Sequence, residues 1–429
     1  MSASLLLVLL LLSFIFTGMP IGAAVGLAAV ISMLATDKAP LLQAAIMSVQ
    51  SMNSFLLLAF PLFVLVGKIM DRGGSAQRLF RFANGLVGWM PGGMGAVTVT
   101  SSMIFGGISG SSVADAAGLA PIQVKGMTDY GYPKHYAAAL AVSASTLAVI
   151  IPPSILMVLF AVAANVSVEA MLLAGVVPGL FITLALGLAN LYYSIRNGWN
   201  PAHPFRWQQL ARDGKDGLLA AITPVIILSA IFLGWVTATE AAALAVLWVI
   251  FLSLVVFREM GLAEMSEAFN EAALESAAIL FLLAGAALVS NIMTLDGVPQ
   301  AMASWISGSS LPLEVVWLVI IGVLLLAGMF FDPASSIVIL VPLLLPILKM
   351  LGANTIHFGV VMVVALSIGL LTPPVAPCLM AISVPLKMPI EVIFKASIPF
   401  IFLLVICLTI LAFFPQISLW LPLNMSGKP

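Results

Sequence analysis

Charge is what this 429-residue sequence has least of: 16 Lys and Arg with 17 Asp and Glu, together 8% of the chain. Soluble domains carry about 25%, so a water-facing surface of ordinary extent is excluded. Cysteine is nearly absent, and Cys378 and Cys407 both sit inside apolar segments, which rules out a disulfide framework. The three histidines are dispersed and no HExxH occurs, so a catalytic metal has no ligand set. With a net charge of -1 and no continuous basic track, nucleic acid is excluded as a partner. No stretch reads as a soluble catalytic domain.

What the chain has in abundance is apolar: 62% of residues are hydrophobic and mean hydropathy is +1.20. Apolar runs of 17 or more residues recur from end to end. Such runs are long enough to cross a hydrocarbon core of about 30 Å. Alternating strand patterns are absent, so the class is an all-α polytopic membrane protein surrounded by lipid. No Lys or Arg precedes the first apolar run, MSASLLLVLLLLSFIF, which predicts a retained first helix rather than a cleaved signal.

The two halves echo one another. IMDRGGSAQ from Ile69 matches IMTLDGVPQ from Ile292, at an offset of 223. Gly131 precedes Pro152-Pro153 by 21 residues, and Gly352 precedes Pro373-Pro374 by the same 21. VEAMLLAGVVPG, with Glu169 and Pro178, then matches IEVIFKASIPF, with Glu391 and Pro399. These matches in order predict a duplication. The first repeat, 1–193, has spans near 2–17, 20–36 and 50–67, an amphipathic stretch near 71–88 and a broken pair near 92–127. An interrupted segment near 136–165 and a last helix near 169–193 complete it. A polar connector, 194–217, leads to the second repeat, 218–413. This has spans near 218–234, 236–257 and 272–290, a polar stretch near 294–310 and a broken pair near 314–349. Its interrupted segment lies near 357–385 and its last helix near 391–413, and 414–429 reads as an extracytoplasmic tail.

If each broken pair is a re-entrant hairpin, each half crosses five times, and an odd count inverts one repeat relative to the other. A cytoplasmic connector then puts thirteen basic residues inside, with only Lys38, Lys349 and Lys428 outside. That partition follows the positive-inside rule and predicts both termini in the periplasm.

The turn of the first pair falls in GISGSSVADAAG, 107–118, where Gly107, Ser109, Gly110, Ser111 and Ser112 interrupt an apolar run. These residues weaken a helix. A break at membrane depth leaves backbone groups that must face protein or a watery cavity. The second pair turns at FFDPASS, where Asp332 and Pro333 suit a helix start and Ser335 and Ser336 follow. In the interrupted segments, Pro152-Pro153 and Pro373-Pro374 remove amide donors just after Val149, Ile150 and Ile151, and after Gly369, Leu370, Leu371 and Thr372. Carbonyls freed there, with Ser and Thr hydroxyls such as Ser154, make an oxygen donor set for a hard cation. Asp115 is expected to cap or stabilise the first tip, with direct cation contact the alternative, and Glu240, beside Thr237 and Thr239, to close a helix start.

At these motifs the sequence resembles the large membrane subunit of tripartite ATP-independent periplasmic transporters. GISGSSVADAAG, GY at 131–132, IIPPS at 150–154, TATE at 237–240, FDP at 331–333 and GLLTPPV at 369–375 carry the resemblance along the whole chain. It implies an elevator-type sodium symporter of a bacterial inner membrane, with Na+ as the only ion and no organic cofactor. Two hairpin tips and two unwound helices would move against a scaffold. The implied partners are a separate small four-helix membrane subunit and a soluble periplasmic binding protein that delivers an organic anion. A sialic acid, a C4-dicarboxylate, another sugar acid or a sulfonate would fit. By motif, the first sodium site falls on Ser109, Ser111, Ser112 and the carbonyls of Val149, Ile150 and Ile151. The second falls on Asp332, Pro333, Ser335 and the carbonyls of Leu370, Leu371 and Thr372. Ser112, Ser154 and Ser336 are the implied substrate contacts. Two positions depart from the family pattern: Ala148 and Ala376 stand where glycine is common. A self-sufficient divalent-anion symporter would show similar breaks. An intramembrane enzyme pairing Asp115 with Asp332 has no surrounding motif in its favour.

Overall fold

The computed structural model describes residues 2–425 except 38–39, 200, 202–206, 233, 299, 302–303 and 305–311, and the described residues are helical throughout apart from turns and breaks. The expected placements of Lys38, Arg206, Lys428 and most of the polar stretch 294–310 fall outside the described residues.

In the first half, α1 (Ala3–Phe16), α2 (Ile21–Ala35), α3 (Leu41–Met52) and α4 (Ala59–Arg72) precede the amphipathic α5 (Ser75–Val87). The span expected at 50–67 is broken. Asn53 and Ser54 interrupt it and a short tight turn, Phe55–Leu58, restarts it, because Asn and Ser compete with the helix for backbone hydrogen bonds. The first hairpin comprises α6 (Gly93–Ser109) and a return arm of α7 (Ser112–Ala114), a π-helical turn (Asp115–Leu119) and α8 (Ala120–Asp129). Gln123 ties the arms together, its Nε2 donating to Thr98 O, Ser101 Oγ and Ser102 Oγ at 3.1, 3.0 and 2.9 Å. The interrupted segment is α9 (Lys134–Ala144), a 3-10 turn (Ser145–Val149) and α10 (Ile155–Ala164), and α11 (Val168–Asn197) follows.

The second half also leads from long helices to a broken pair and an interrupted segment. It contains α12 (Trp207–Phe232), α13 (Ala238–Phe251), α14 (Leu262–Leu295), the pair α15 (Leu313–Phe330) and α16 (Pro333–Met350), and the interrupted α17 (Thr355–Gly369) and α18 (Pro377–Leu386). α19 (Ile390–Phe413) and α20 (Gln416–Met425) close the chain. The Pro152–Pro153 and Pro373–Pro374 peptide bonds are both cis. Glu240 is structural: it closes a capping box with Thr237 at the start of α13, accepting from the Thr237 N–H at 2.8 Å.

Three boundaries differ from the sequence reading. The polar connector is helical at both ends, since α11 runs on to Asn197 before Gly198 turns left-handed, and α12 begins at Trp207. The expected tail forms α20, which packs on α11 and is held where Ser418 Oγ meets His357 Nδ1 at 2.7 Å. α14 is 34 residues long, not 19. Its added turns carry Glu267 and Glu271, which continue a stripe with Glu275 and are matched by Lys68 and Arg72 of α4. Lys68 meets Glu275 at 2.9 Å, and Arg72 meets Glu267 and Glu271 at 2.6 and 2.7 Å. Exposed pairs of this kind contribute about 0–1 kcal/mol each, so the seam sets register more than stability. Nearby, Arg78 bonds Glu259 at 2.6 Å and lies over the Phe257 ring. That hydrogen bond holds the Glu259 carboxyl below its ordinary range, so the tie persists at neutral pH and is lost as acid protonates it.

Among the described residues five helices are long and apolar enough to cross a membrane: Val168–Asn197, Ala238–Val256, Leu262–Leu295, Pro333–Met350 and Ile390–Phe413. α14 lies against α2, α3 and α4, whereas the first hairpin, the interrupted helices, α11 and α19 pack largely among themselves. Within that second group α15 and α17 touch backbone to backbone: a Cβ on Gly369 would stand 2.4 Å from the Gly328 carbonyl carbon. Overpacking of this kind costs about 1–3 kcal/mol. Gly369→Ala should therefore lower the thermal midpoint of the solubilised protein by at least ~2 °C. Gly187→Ala, which meets nothing within 4 Å, should not. Fluorescence-detected size exclusion after heating measures both.

Candidate functional site: a cavity between two tips and two broken helices

Both tips are built by residues that stop one helix and start the next. Gly110 ends α6 with a positive φ of 62°, a left-handed conformation that glycine adopts without penalty. Ser111 then begins the return arm, its Oγ accepting from the Ala114 N–H at 3.3 Å. At the second tip, Asp332 performs the same task, accepting from the Ser335 N–H at 3.1 Å, and Pro333 occupies the first helical position. In the first broken helix Ser154 caps α10, accepting from the Met157 N–H at 3.3 Å and donating back to Val149 O. In the second, α18 begins after Ala376, whose φ is +49°. That backbone explains why glycine suits the position: an alanine there carries a penalty of about 1–2 kcal/mol.

The four starts point at one place. A cavity of about 430 Å³ is lined by Ser111 and Ser112 of the first tip, Ile155 and Leu156 of α10, Pro333 and Ala334 of α16, and Pro377 of α18. Helix N-termini carry the positive end of the backbone dipole and free N–H groups, so this convergence suits an anion. The remaining wall comes from Phe60 of α4 and from Glu275, Ala278 and Ile279 of α14. Among the described residues the lining contains no Lys, Arg or His.

Of the expected first-site residues, Ser111, Ser112 and Val149 line the cavity, with Gly110, whereas Ser109, Ile150 and Ile151 do not. Ile150 O is turned toward α11, 2.5 Å from where a Cβ on Gly175 would stand. Ser109 is tied into its own turn, accepting from the Ser111 N–H at 3.4 Å. Of the second-site residues, Asp332, Pro333 and Leu370 line the cavity, and Ser335, Leu371 and Thr372 stand behind it. Leu370 O accepts from the Cys378 N–H at 3.3 Å, and Thr372 Oγ1 donates to Ile368 O at 3.2 Å. Among the expected substrate contacts only Ser112 lines the cavity. Ser154 is spent on its two hydrogen bonds, and Ser336 is buried behind Asp332. Asp115 does not cap the tip, because Ser111, four residues earlier, holds the cap position. The Asp115 carboxyl is instead buried at the start of the π-helical turn, beside Ser102.

An oxygen-only cation finds a suitable setting here. Among the described residues Ser112 Oγ and Ser336 Oγ are buried without a hydrogen-bond partner, one at each tip, and Asp332 and Asp115 add carboxyl oxygens. The sequence reading missed the α4 and α14 wall. Its signal was the four-residue spacing of Glu267, Glu271 and Glu275 against that of Lys68 and Arg72. The same wall approaches the first tip elsewhere, where a Cβ on Gly67 of α4 would stand 2.7 Å from Ser109 O.

The family model described as "Tripartite ATP-independent periplasmic transporter, DctM component" matches residues 8–417. Among similar proteins is the C4-dicarboxylate TRAP transporter large permease protein DctM of Pseudomonas aeruginosa, 39% identical over 88% of both chains. The sialic acid TRAP transporter large permease protein SiaM of Vibrio cholerae is 33% identical over 96% of both. The fold is similar to that of the Alcanivorax borkumensis YdaH transporter, with a TM-score of 0.64 at 15% identity over 87% of this chain and 88% of that one.

With this fold and cavity, the family match makes the chain a multi-pass inner-membrane secondary transporter of small organic anions, not an enzyme. The chain belongs to the DctM component family of tripartite ATP-independent periplasmic transporters.

The tip geometry gives a direct test. A Cβ on Gly110 would stand 2.9 Å from Ile155 Cγ1 and 3.2 Å from Ile155 N, in a backbone conformation that side chains resist. Gly110→Val should abolish uptake by the assembled transporter while the protein still inserts. Gly110→Asn, which tolerates the left-handed region better, should retain more of it.

Proposed function

We propose that this chain carries a small organic anion, a carboxylate, into the cell in symport with sodium. The observation that carries the proposal is the convergence of four helix starts, two from tips and two from broken helices, on one cavity without a cationic side chain. Sodium held behind the tips would supply the positive charge the lining lacks, and its binding would order the tips, so ion and anion each improve the site for the other. The 1–193 and 218–413 halves are read as inverted repeats, with the connector cytoplasmic and both termini periplasmic. The hairpins and broken helices would move as a unit against a scaffold that includes α4 and α14. A separate small membrane subunit and a periplasmic binding protein would complete the transporter, as the tripartite family implies. Relatives named for C4-dicarboxylate and for sialic acid support the anion class.

In proteoliposomes with a sodium gradient, uptake should require the small subunit and the loaded binding protein. Robust saturable uptake by this chain alone would instead establish a self-sufficient carrier. Within the complete assembly, Ser111→Ala and Ser335→Ala should raise the sodium concentration for half-maximal uptake by about threefold or more before the maximal rate falls. An unchanged sodium dependence in both would remove these hydroxyls from the ion sites.

Topology is open to a separate measurement. A cysteine at Trp207, in a background lacking Cys378 and Cys407, should react with an impermeant reagent only from the cytoplasmic side. Labelling from the periplasm would overturn the inverted arrangement.

A further inference from the structure

The cavity has few polar side chains. Besides Ser111, Ser112, Asp332 and Glu275, every lining residue is apolar or glycine, with no amide, phenol, indole or imidazole side chain among those described. The helix starts and both tips supply one part of the lining. The α4–α14 wall presents Phe60, Ala278 and Ile279, together with Glu275. The cation closest to that wall, Lys68, is not free to meet a ligand, because its Nζ is held 2.9 Å from the Glu275 carboxylate.

We infer that the transported anion carries a single negative charge on a compact apolar body, and that Glu275 excludes a second anionic group by occupying Lys68. This rests on the cavity being the transport site. A carboxylate seated at the helix starts meets their free N–H groups, with sodium behind the tips as the proposed counter-charge. A second one, reaching across, would exchange its hydration for an apolar wall and the Glu275 carboxylate, and an unpaired charge in such a setting is strongly disfavoured. A hydroxyl-rich acid fares little better, since its donors and acceptors would find few partners along that wall. An apolar body gains contact with the same surface. Glu275 is thus a specificity-determining residue that acts through Lys68 as well as by its own charge.

The test uses the full chain in lipid nanodiscs, with binding followed by thermal stabilisation in sodium chloride and in choline chloride. The probes are 4-methylpentanoate, succinate and N-acetylneuraminate. In sodium, 4-methylpentanoate should reach half-saturation at a concentration at least about tenfold below that of either other probe. Glu275→Gln, which keeps the shape but releases Lys68, should narrow the gap to succinate to about threefold or less. Adding Lys68→Met to that variant should widen it again, which general loosening of the α4–α14 seam would not do.

Succinate or N-acetylneuraminate binding as tightly as 4-methylpentanoate overturns the inference. If that binding needs sodium and is lost in Gly110→Val, the transport site itself stands and only the substrate class fails. A gap that Glu275→Gln leaves unchanged overturns the role of Glu275. Sodium-independent binding, or no binding of any probe to folded protein, defeats both the cavity as transport site and the inference built on it.

Discussion

A helix that stops inside a membrane exposes backbone groups that lipid cannot satisfy, and this constraint governs the rest of the molecule. Two tips and two interrupted helices stop there, and each solves the problem with local chemistry: Ser111, Ser154 and Asp332 accept from N–H groups in the first turn they start, and Ala376 bends the chain into position. The ends left over face one another across a cavity rather than lipid. A set of costly interruptions becomes tolerable because they are gathered, and the gathered N-termini make the surroundings favourable to negative charge.

Much of this was legible because breaking a helix needs particular residues. Double proline, Gly110 and an Asp-Pro start have few other uses in an apolar run, and they marked the tips and both interrupted helices to within a few residues. Side-chain direction was not legible. Pattern alone could not show that Ile150 O turns toward Gly175, or that Ser154 spends itself within its own break. Asp115 looked like a cap because acids favour helix starts, but the start lies four residues earlier, and a π-helical turn carries the carboxylate into the hairpin. The break at Asn53 and Ser54 was hidden because apolar residues continue on both sides of it.

The two departures from the family pattern acquire separate meanings. Ala376 stands where the backbone itself is left-handed, so glycine there would relieve a local conformational cost. Ala148 stands where packing decides instead: its backbone lies 2.4 Å from where a Cβ on Gly106 would be, and the room is made by that glycine on the hairpin. In the second half the contact at similar spacing is glycine on both sides, Gly328 against Gly369. The first half therefore accepts one methyl group at a junction where the second accepts none.

Gly67 leaves a notch in α4 at the height where the first tip rests, and the tip's own main chain fills it. The contact is made by main chain, because Gly67 has no side chain to hold the tip away. If the hairpin moves as proposed, this stretch is a bearing. A small apolar compound that crowded it from the α4 side would stall travel without occupying the anion cavity. Inhibition of that kind would be noncompetitive, and no excess of sodium or substrate would reverse it.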